Sequence, residues 1–304
     1  MSGNISSKRF SVSASTLKTI ALVTMFIDHL GAVFISELER GYLSAGGMEG
    51  FITPYLRMIG RIAFILYAFL LVEGFVNTSD RGKYMKRLLA GAVISEIPFD
   101  LATAGMSFYP WDQNIFFTLL IGFGTIWILD GLRSGRNEGK DDEKPDTVPI
   151  LPGSHFGSIL CEITVVVGGM LLAELIRCDY GCMGVGLIVV FYLFRWNGKL
   201  FWAVLAESYF GLILSDLIHY FVTLFRYYVR TGMPFKMPDG STVLLNLINW
   251  AANRMVRSMP GIIAAMLLIL SYSGEKGKQL PKAFYYLFYP VHLFWLYLAV
   301  RLIS

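Results

Sequence analysis

The sequence predicts an all-α membrane protein, a polytopic bundle of about nine transmembrane helices. The chain of 304 residues is 55% hydrophobic and only 16% charged, whereas soluble domains average about a quarter charged residues. Apolar blocks of roughly 18–25 residues recur along the chain, each long enough to cross a hydrocarbon core of about 30 Å. We therefore expect a single integral membrane domain over residues 1–304.

Nine blocks qualify as spans, within a range of eight to ten. The eighth block is long, contains Arg254 and Arg257, and is interrupted by Pro260. It therefore leaves alternatives open: a single span, an interfacial helix over 243–258, or two shorter pieces. The predicted spans are 16–36, 55–76, 84–103, 113–132, 155–176, 181–196, 200–224, 243–272 and 282–303.

The distribution of Lys and Arg predicts the orientation, because cytoplasmic loops are enriched in them. With nine spans and the N-terminus inside, most basic residues fall on the inner side. The N-terminal MSGNISSKRFSVSAS is polar, so the first span is expected to remain as an anchor. The polar stretch GRNEGKDDEKPDTVPILPGS predicts a flexible cytoplasmic loop over 133–154.

Ionisable residues occur inside several predicted spans, where they mark a functional cavity by default. Asp28 and His29 lie about 18 Å into the first span at 1.5 Å per residue. Arg61 lies near the outer end of the second span, Glu96 in the third and His292 in the last. We expect these side chains to meet at middle depth.

The types of these residues favour general-base chemistry. Neighbours on a helix point about 100° apart, so Asp28 does not orient the His29 ring as in a catalytic triad. We expect Asp28 to hold Arg61 or a polar substrate, while His29 accepts a proton from an amine or hydroxyl. Neither a nucleophile triad nor a metal cage is predicted. As simpler alternatives, Arg61 forms only a structural ion pair with Asp28 or Glu96, and His292 only satisfies a carbonyl freed by the preceding proline.

A second cluster of charge lies in the inner segment NTSDRGKYMKRLL. Its basic residues fit either lipid headgroups and topology or a cradle for a phosphate-rich ligand. Glu73, just before this segment, is expected to be solvated at a membrane boundary. The basic residues are Arg81, Lys83, Lys86 and Arg87.

Five segments in order carry a resemblance to a known family. They are TLKTIALVTMFIDHLGAVF, LRMIGRIAFILYAFLLVEGF, YMKRLLAGAVISEIPFDL, NIFFTLLIGFG and FYYLFYPVHLFWLYL. The segments resemble the TraX family of pilin N-acetylases, from about Leu17 to about Gly124 and again from about Lys282 to the end. The middle of the chain, 130–280, matches only in hydropathy and in YGCMGVGLIVVFYLF.

The resemblance implies transfer of an acetyl group from acetyl-CoA to the N-terminal amine of a pilin. The chain also looks distantly related to the broader transmembrane acyltransferases, in which a first-span histidine serves the acyl transfer. That architecture is therefore expected, with membrane lipids, acetyl-CoA and a pilin-like peptide or cell-envelope glycan as partners. A bacterial cytoplasmic membrane fits the family, and neither nucleic acid nor a metal is expected.

On this resemblance His29 is the catalytic base, helped by Asp28, and Arg61 is a candidate donor to the tetrahedral oxyanion. The expected substrate-binding residues are Glu96, His292, Asp100 and Asn114. The expected contacts for the phosphates of CoA are Arg81, Lys83, Lys86 and Arg87.

Two other classes of function use the same residues. A proton-coupled transporter or flippase would use the buried charges as a proton relay, although the sequence shows no internal repeat of the kind that many transporters have. In a non-catalytic scaffold the polar residues would only hold helices together, so that His29→Ala would cost stability and not activity.

Overall fold

The computed structural model describes residues 11–43, 52–137, 156–232 and 240–303. All elements named within these ranges are helices, which confirms the predicted all-α bundle. They are α1 (Ala14–His29), a π-helical segment (Leu30–Ile35), α2 (Ser36–Leu43), α3 (Thr53–Asn77), α4 (Arg81–Ala104), α5 (Ile115–Asn137), α6 (Phe156–Leu175), α7 (Gly181–Phe194), α8 (Leu200–Thr231), α9 (Gly240–Leu270) and α10 (Lys282–Ile303).

In the described ranges these helices form nine continuous rods, since α1, the π-helical segment and α2 follow one another without a break. Seven of the rods are long and apolar enough to cross a membrane. The other two are α4, which carries charged side chains along its length, and α7, whose 14 residues rise only about 21 Å. The chain is a multi-pass membrane protein with these two rods packed among apolar ones.

Two predicted boundaries differ from the structure. The eighth block is one uninterrupted helix, α9, which passes through Pro260, so neither a separate interfacial helix nor two pieces form. Residues 133–137 of the predicted loop continue α5, where Arg133 donates to Glu162 of α6 at 2.7 Å. The rest of that loop, 138–154, lies outside the described residues.

The rods alternate in direction, which gives the bundle two ends. The end at which α1 begins is called the proximal end, and the end at which α3 begins is called the distal end. At the proximal end α4 starts at Asp80, whose carboxylate accepts a hydrogen bond from the Lys83 amide at 2.8 Å. This bond lowers the pKa of the Asp80 carboxyl, which suits an anion at a helix N-terminus.

α1 and α3 pack against each other closely because small residues face the contact. A Cβ atom on Gly60 would overlap the Asp28 side chain, and one on Gly31 would lie 2.7 Å from Cβ of Leu56. The glycines thus let two backbones approach at the depth of Asp28 and His29. This close contact positions the ionisable residues of α1 against those of α3.

The N-terminal segment is tied to the connection between α9 and α10. Val12 is 2% exposed, donates its amide to the Ser271 carbonyl at 2.8 Å and accepts from the Ser273 amide at 2.9 Å. Two residues further, the Ala14 amide donates to the Glu275 carbonyl at 2.8 Å. These bonds hold the α9–α10 connection beside the start of α1 at the proximal end.

Candidate functional site

Two cavities lie within the bundle, one towards each end. The proximal cavity has a volume of about 500 Å³ and reaches from Lys18, Arg87 and Lys276 at the proximal end inward to Asp28 and His29. From Lys18 to His29 the helix rises about 16 Å, so the cavity is deep and narrow. Its volume lies within the range of about 300–1,000 Å³ that is usual for small-molecule sites.

The distal cavity has a volume of about 740 Å³ and opens on the other side of the same residues. Phe64, Asp179 and Tyr180 line both cavities and therefore form the wall between them. The rings of Phe64 and Tyr180 are stacked, with centroids 3.9 Å apart and planes 14° apart. The Arg61 guanidinium also lies over the Tyr180 ring, 5.4 Å from its centroid.

Tyr180 belongs to the connection before α7, and its backbone is in a strained conformation. Tyr180 has φ +67°, a left-handed value that non-glycine residues rarely adopt. Burial raises the pKa of the Asp179 carboxyl despite the nearby Arg57 and Arg61, and raises that of Tyr180 to about 12. Tyr180 is therefore neutral near pH 7.

At the inner end of the proximal cavity, His29 of α1 contacts His292 of α10. Nδ1 of His29 lies 2.9 Å from Nε2 of His292, and Nδ1 of His292 lies 2.7 Å from the Phe288 carbonyl oxygen. A carbonyl only accepts, so His292 carries its proton on Nδ1 and its Nε2 accepts from Nδ1 of His29. The Met25 carbonyl also lies within hydrogen-bonding reach of the His29 ring.

This network leaves Nε2 of His29 as an unprotonated nitrogen. It makes no hydrogen bond within the described part of the chain, and the residue lines the proximal cavity. The predicted meeting of the two histidines is confirmed, and the role of His292 is more specific than lining. His292 is 6% exposed and fixes the tautomer of its neighbour, as the partner of a catalytic imidazole often does.

Tyr289 packs against this pair from one turn earlier on α10. Its ring centroid is 5.5 Å from that of His29 and 5.7 Å from that of His292. The side chain is 2% exposed, and its hydroxyl has no hydrogen-bond acceptor among the described residues. A buried O–H without an acceptor is a donor available to a ligand. Tyr289 was not predicted as a site residue from the sequence, since an aromatic residue in an apolar run resembles an ordinary core residue.

Asp28 pairs with Arg57 and not with Arg61, so the predicted partner of Asp28 is wrong. Nη1 of Arg57 lies 2.7 Å from Oδ2 of Asp28, and Asp28 is 9% exposed. Arg61 lies one turn further along α3 and lines the distal cavity. Both arginines occupy similar faces of α3, and the sequence alone gave no means of ranking them.

The structure separates the four basic residues of the α4 cluster. Arg81 pairs with Asp130 at 2.7 Å, Lys83 is exposed and 3.2 Å from Asp80, and Lys86 is exposed. Arg87 alone of the four lines the proximal cavity. Its Nε is buried with no hydrogen-bond partner among the described residues.

Lys18 and Lys276 complete the basic mouth of the proximal cavity. From the sequence they were only two of the basic residues expected on the inner side. Lys18 donates to the Gln279 side chain at 2.6 Å. Glu73 also lines this cavity, and the expectation that it is solvated is wrong. It is 7% exposed and forms an ion pair with Arg195.

Three of the expected substrate-binding residues line neither cavity. The Asn114 amide donates to the Ala92 carbonyl at 2.8 Å and to Glu96, and Asp100 accepts from the Tyr109 amide at 2.7 Å. Glu96, Asn114 and Asp100 therefore connect α4 to the start of α5 and to the loop between them. They do not meet His29.

The fold and site define a class: a multi-pass membrane protein with a histidine pair in an internal cavity. A family model described as TraX protein matches residues 13–300, so the chain belongs to the TraX family. The match includes the middle region, where the sequence resemblance was confined to hydropathy and one segment.

Among curated proteins, the chain is similar to a probable fimbrial assembly protein FimC, serogroup H1, of Dichelobacter nodosus. The two are 32% identical over 129 residues, which cover 40% of this chain and 48% of that protein. The alignment thus spans about half of the relative's length. No solved structure matches the chain.

We expect Arg57→Gln to lower the free energy of unfolding by on the order of 2 kcal/mol, because it leaves the Asp28 carboxylate without its partner. Fully buried pairs lose about 3–5 kcal/mol in this way, but the Arg57 side chain is 38% exposed. Adding Asp28→Asn should recover most of the loss. Denaturant unfolding in detergent measures both.

The matched control for that change is Arg177→Gln. Arg177 pairs with Asp112 at 2.8 Å, with side chains 33% and 40% exposed, so the loss should stay below about 1 kcal/mol. An equal loss in Arg57→Gln and Arg177→Gln would contradict a special role for burial of Asp28.

Proposed function

We propose that this protein is a membrane-embedded acetyltransferase that moves an acetyl group from acetyl-CoA to an amine or hydroxyl acceptor. The observation that carries the proposal is the His29–His292 pair, with one free imidazole nitrogen, at the closed end of a cavity with a basic mouth. Membership of the TraX family supports it. The similarity to a fimbrial assembly protein agrees with a pilin-like acceptor.

The orientation follows from the same proposal. The N-terminus and the proximal end face the cytoplasm of a bacterial cytoplasmic membrane, in agreement with the excess of Lys and Arg expected there. Acetyl-CoA is then available at the basic mouth, and the acceptor approaches from the distal side. The phosphates of the donor suit Lys18, Arg87 and Lys276, while its long pantetheine arm suits the narrow cavity.

The chemistry assigned to the chain is proton transfer and charge stabilisation. Nε2 of His29 removes the proton from the acceptor nitrogen or oxygen as that atom bonds to the thioester carbonyl carbon. The Tyr289 hydroxyl donates to the oxygen that becomes negative. When the carbon–sulfur bond breaks, His29 gives the proton to the CoA sulfur, so that the products are the acetylated acceptor and CoA.

His292 and Asp28, the two polar neighbours of His29, have different roles in the proposal. The Nε2 atom of His292 accepts from Nδ1 of His29 and stabilises the imidazolium that forms during the transfer. Asp28 is held by Arg57, so its charge is compensated before the acceptor arrives. Arg61, the expected oxyanion donor, lines the distal cavity, and Tyr289 takes that role in the proposal.

His29→Ala should lower the release of CoA from acetyl-CoA, with ethanolamine as acceptor, by about 10²–10⁴-fold, the usual contribution of a general base. CoA binding and melting temperature should stay near wild type. The assay uses the purified, detergent-solubilised protein, with Arg301→Gln as the control, since Arg301 is exposed and lines neither cavity. Full activity in His29→Ala, or no CoA binding by the wild type near the millimolar range, would overturn the proposal.

Arg87→Gln should weaken CoA binding by about tenfold, because a charge-assisted hydrogen bond is worth roughly 1.5–3 kcal/mol. Lys83→Gln is the matched control on the same helix, since Lys83 is exposed and bonded to Asp80. It should leave CoA binding unchanged. Isothermal titration of CoA into both variants tests this, and equal weakening in both would favour general electrostatic attraction over the proposed mouth.

Tyr289→Phe should reduce turnover by about 10²-fold, the usual cost of losing one oxyanion donor, while CoA binding stays unchanged. The protein should lose no more than about 1 kcal/mol of stability, the usual net worth of one hydrogen bond, because among the described residues the hydroxyl interacts only with the Ile115 backbone amide. Tyr67→Phe is the matched control, because Tyr67 lines the same cavity near Tyr285, about one helical turn from Tyr289 towards the proximal end. Normal turnover in Tyr289→Phe would remove Tyr289 from the mechanism.

A further inference from the structure

The distal cavity is lined by more positive than negative side chains. Its acidic lining residues are Asp112, Glu174 and Asp179, against five arginines. Two of the acids already have partners, since Asp112 pairs with Arg177 and Glu174 with His219. The lining arginines are Arg57, Arg61, Arg177, Arg254 and Arg257.

Most of these arginines already have carboxylate partners. Arg57 pairs with Asp28, and Arg254 pairs with Asp216 at 2.5 Å. Arg61 and Arg257, in contrast, have no carboxylate within ion-pairing distance among the described residues. Arg61 lies instead over the face of the Tyr180 ring. Arg257 is exposed, whereas the charge of the partly buried Arg61 is offset in part by the more distant Asp28 and Asp179. An anion bound within ion-pairing distance would add to that compensation.

Arg61 and Arg257 lie on facing helices. Gly261 of α9 packs against α3, where an added Cβ would lie 2.7 Å from the Met58 carbonyl oxygen and 2.9 Å from Cβ of Arg61. Arg257 is one turn before Gly261 and therefore on the same face of α9. The two helices run in the same direction, so Arg257 is level with the turn of α3 before Arg61.

We propose that the distal cavity is a binding site for an oxyanion, a phosphate or carboxylate carried by the acceptor, and that Arg61 and Arg257 hold it. That the ligand is the acceptor rests on the proposed acetyltransferase function, whereas the oxyanion site does not depend on that function. Guanidinium groups suit this ligand because their planar donors match two oxygens of a phosphate or carboxylate.

The positions of Arg61 and His29 indicate how such a ligand would lie relative to the proposed catalytic base. Arg61 lies over the Tyr180 ring and lines the distal cavity. His29 lines the proximal cavity, on the other side of the wall. The oxyanion would anchor the acceptor on one side of the wall, and its amine or hydroxyl would reach past the wall to His29. Asp179, in the wall, has a raised pKa through burial, which reduces its competition for the arginines.

The test is binding of inorganic phosphate to the purified full-length protein in neutral detergent, with Arg87→Gln measured in parallel to identify any phosphate that binds at the proximal mouth. Phosphate should raise the melting temperature above that in sodium chloride of equal ionic strength. In Arg61→Gln and in Arg257→Gln, the phosphate concentration needed for the same shift should rise about tenfold or more. Arg257 is exposed, so its variant is expected to fold even if the Arg61 variant does not.

Arg301→Gln is the matched control, because Arg301 is an exposed arginine at the same end that contacts Tyr297 and lines neither cavity. It should respond to phosphate as the wild type does. A short-chain phosphatidylglycerol, titrated in parallel, separates the two sources of the oxyanion. A shift with the lipid alone indicates a headgroup, and a shift with inorganic phosphate indicates a water-borne group.

The site is rejected if neither probe raises the melting temperature, or if Arg257→Gln and a folded Arg61→Gln respond as the wild type does. These outcomes are independent of the acetyltransferase proposal, because CoA binding and turnover are read separately. A protein that binds phosphate through Arg61 but never turns over acetyl-CoA would keep the oxyanion site and lose the enzyme.

Discussion

The hydrogen bond between His29 and His292 joins the first helix of the bundle to the last. The two residues are 263 positions apart, so the bond forms only when α10 packs directly against α1 in the folded chain. It also fixes the protons of both rings, since the chain of donors ends on the Phe288 carbonyl. The depth of the proximal cavity, the exposure of the His29 Nε2 atom and the position of Tyr289 all depend on α10 lying against α1 at this point.

The backbone next to His29 changes from an α-helix to a π-helix close to the contact with His292. The π-helical segment begins at Leu30, directly after His29, and such segments are rare and occur often at functional sites. Gly31 within it faces Leu56 on α3. The wider turn lets α1 keep its close packing against α3 at Gly60 while the next residues adopt a different register. The His29 ring and the Asp28 carboxylate point to α10 and α3 respectively, since neighbouring residues of a helix face different directions.

Much of the fold was predictable from the sequence, because hydropathy over about twenty residues responds directly to the thickness of a bilayer. His29 and His292 were also predictable, since ionisable residues are costly within apolar spans. The choice between Arg57 and Arg61 was not, because both lie on α3 one turn apart and only the position of Asp28 decides. Lys18 joins Arg87 at one mouth through packing between distant helices. No local pattern contains that information.

The stacked rings of Phe64 and Tyr180, 3.9 Å apart, have a consequence for the membrane as a whole. A recess that enters from one end and another that enters from the other end would form a water-filled channel if they joined. Such a channel would let protons and ions leak and would dissipate the gradient across the membrane. The Phe64–Tyr180 pair, with Asp179 beside it, is the barrier that separates the two recesses. Because the same three residues face both recesses, a ligand in one recess lies only one side-chain layer away from a ligand in the other while the bilayer stays sealed.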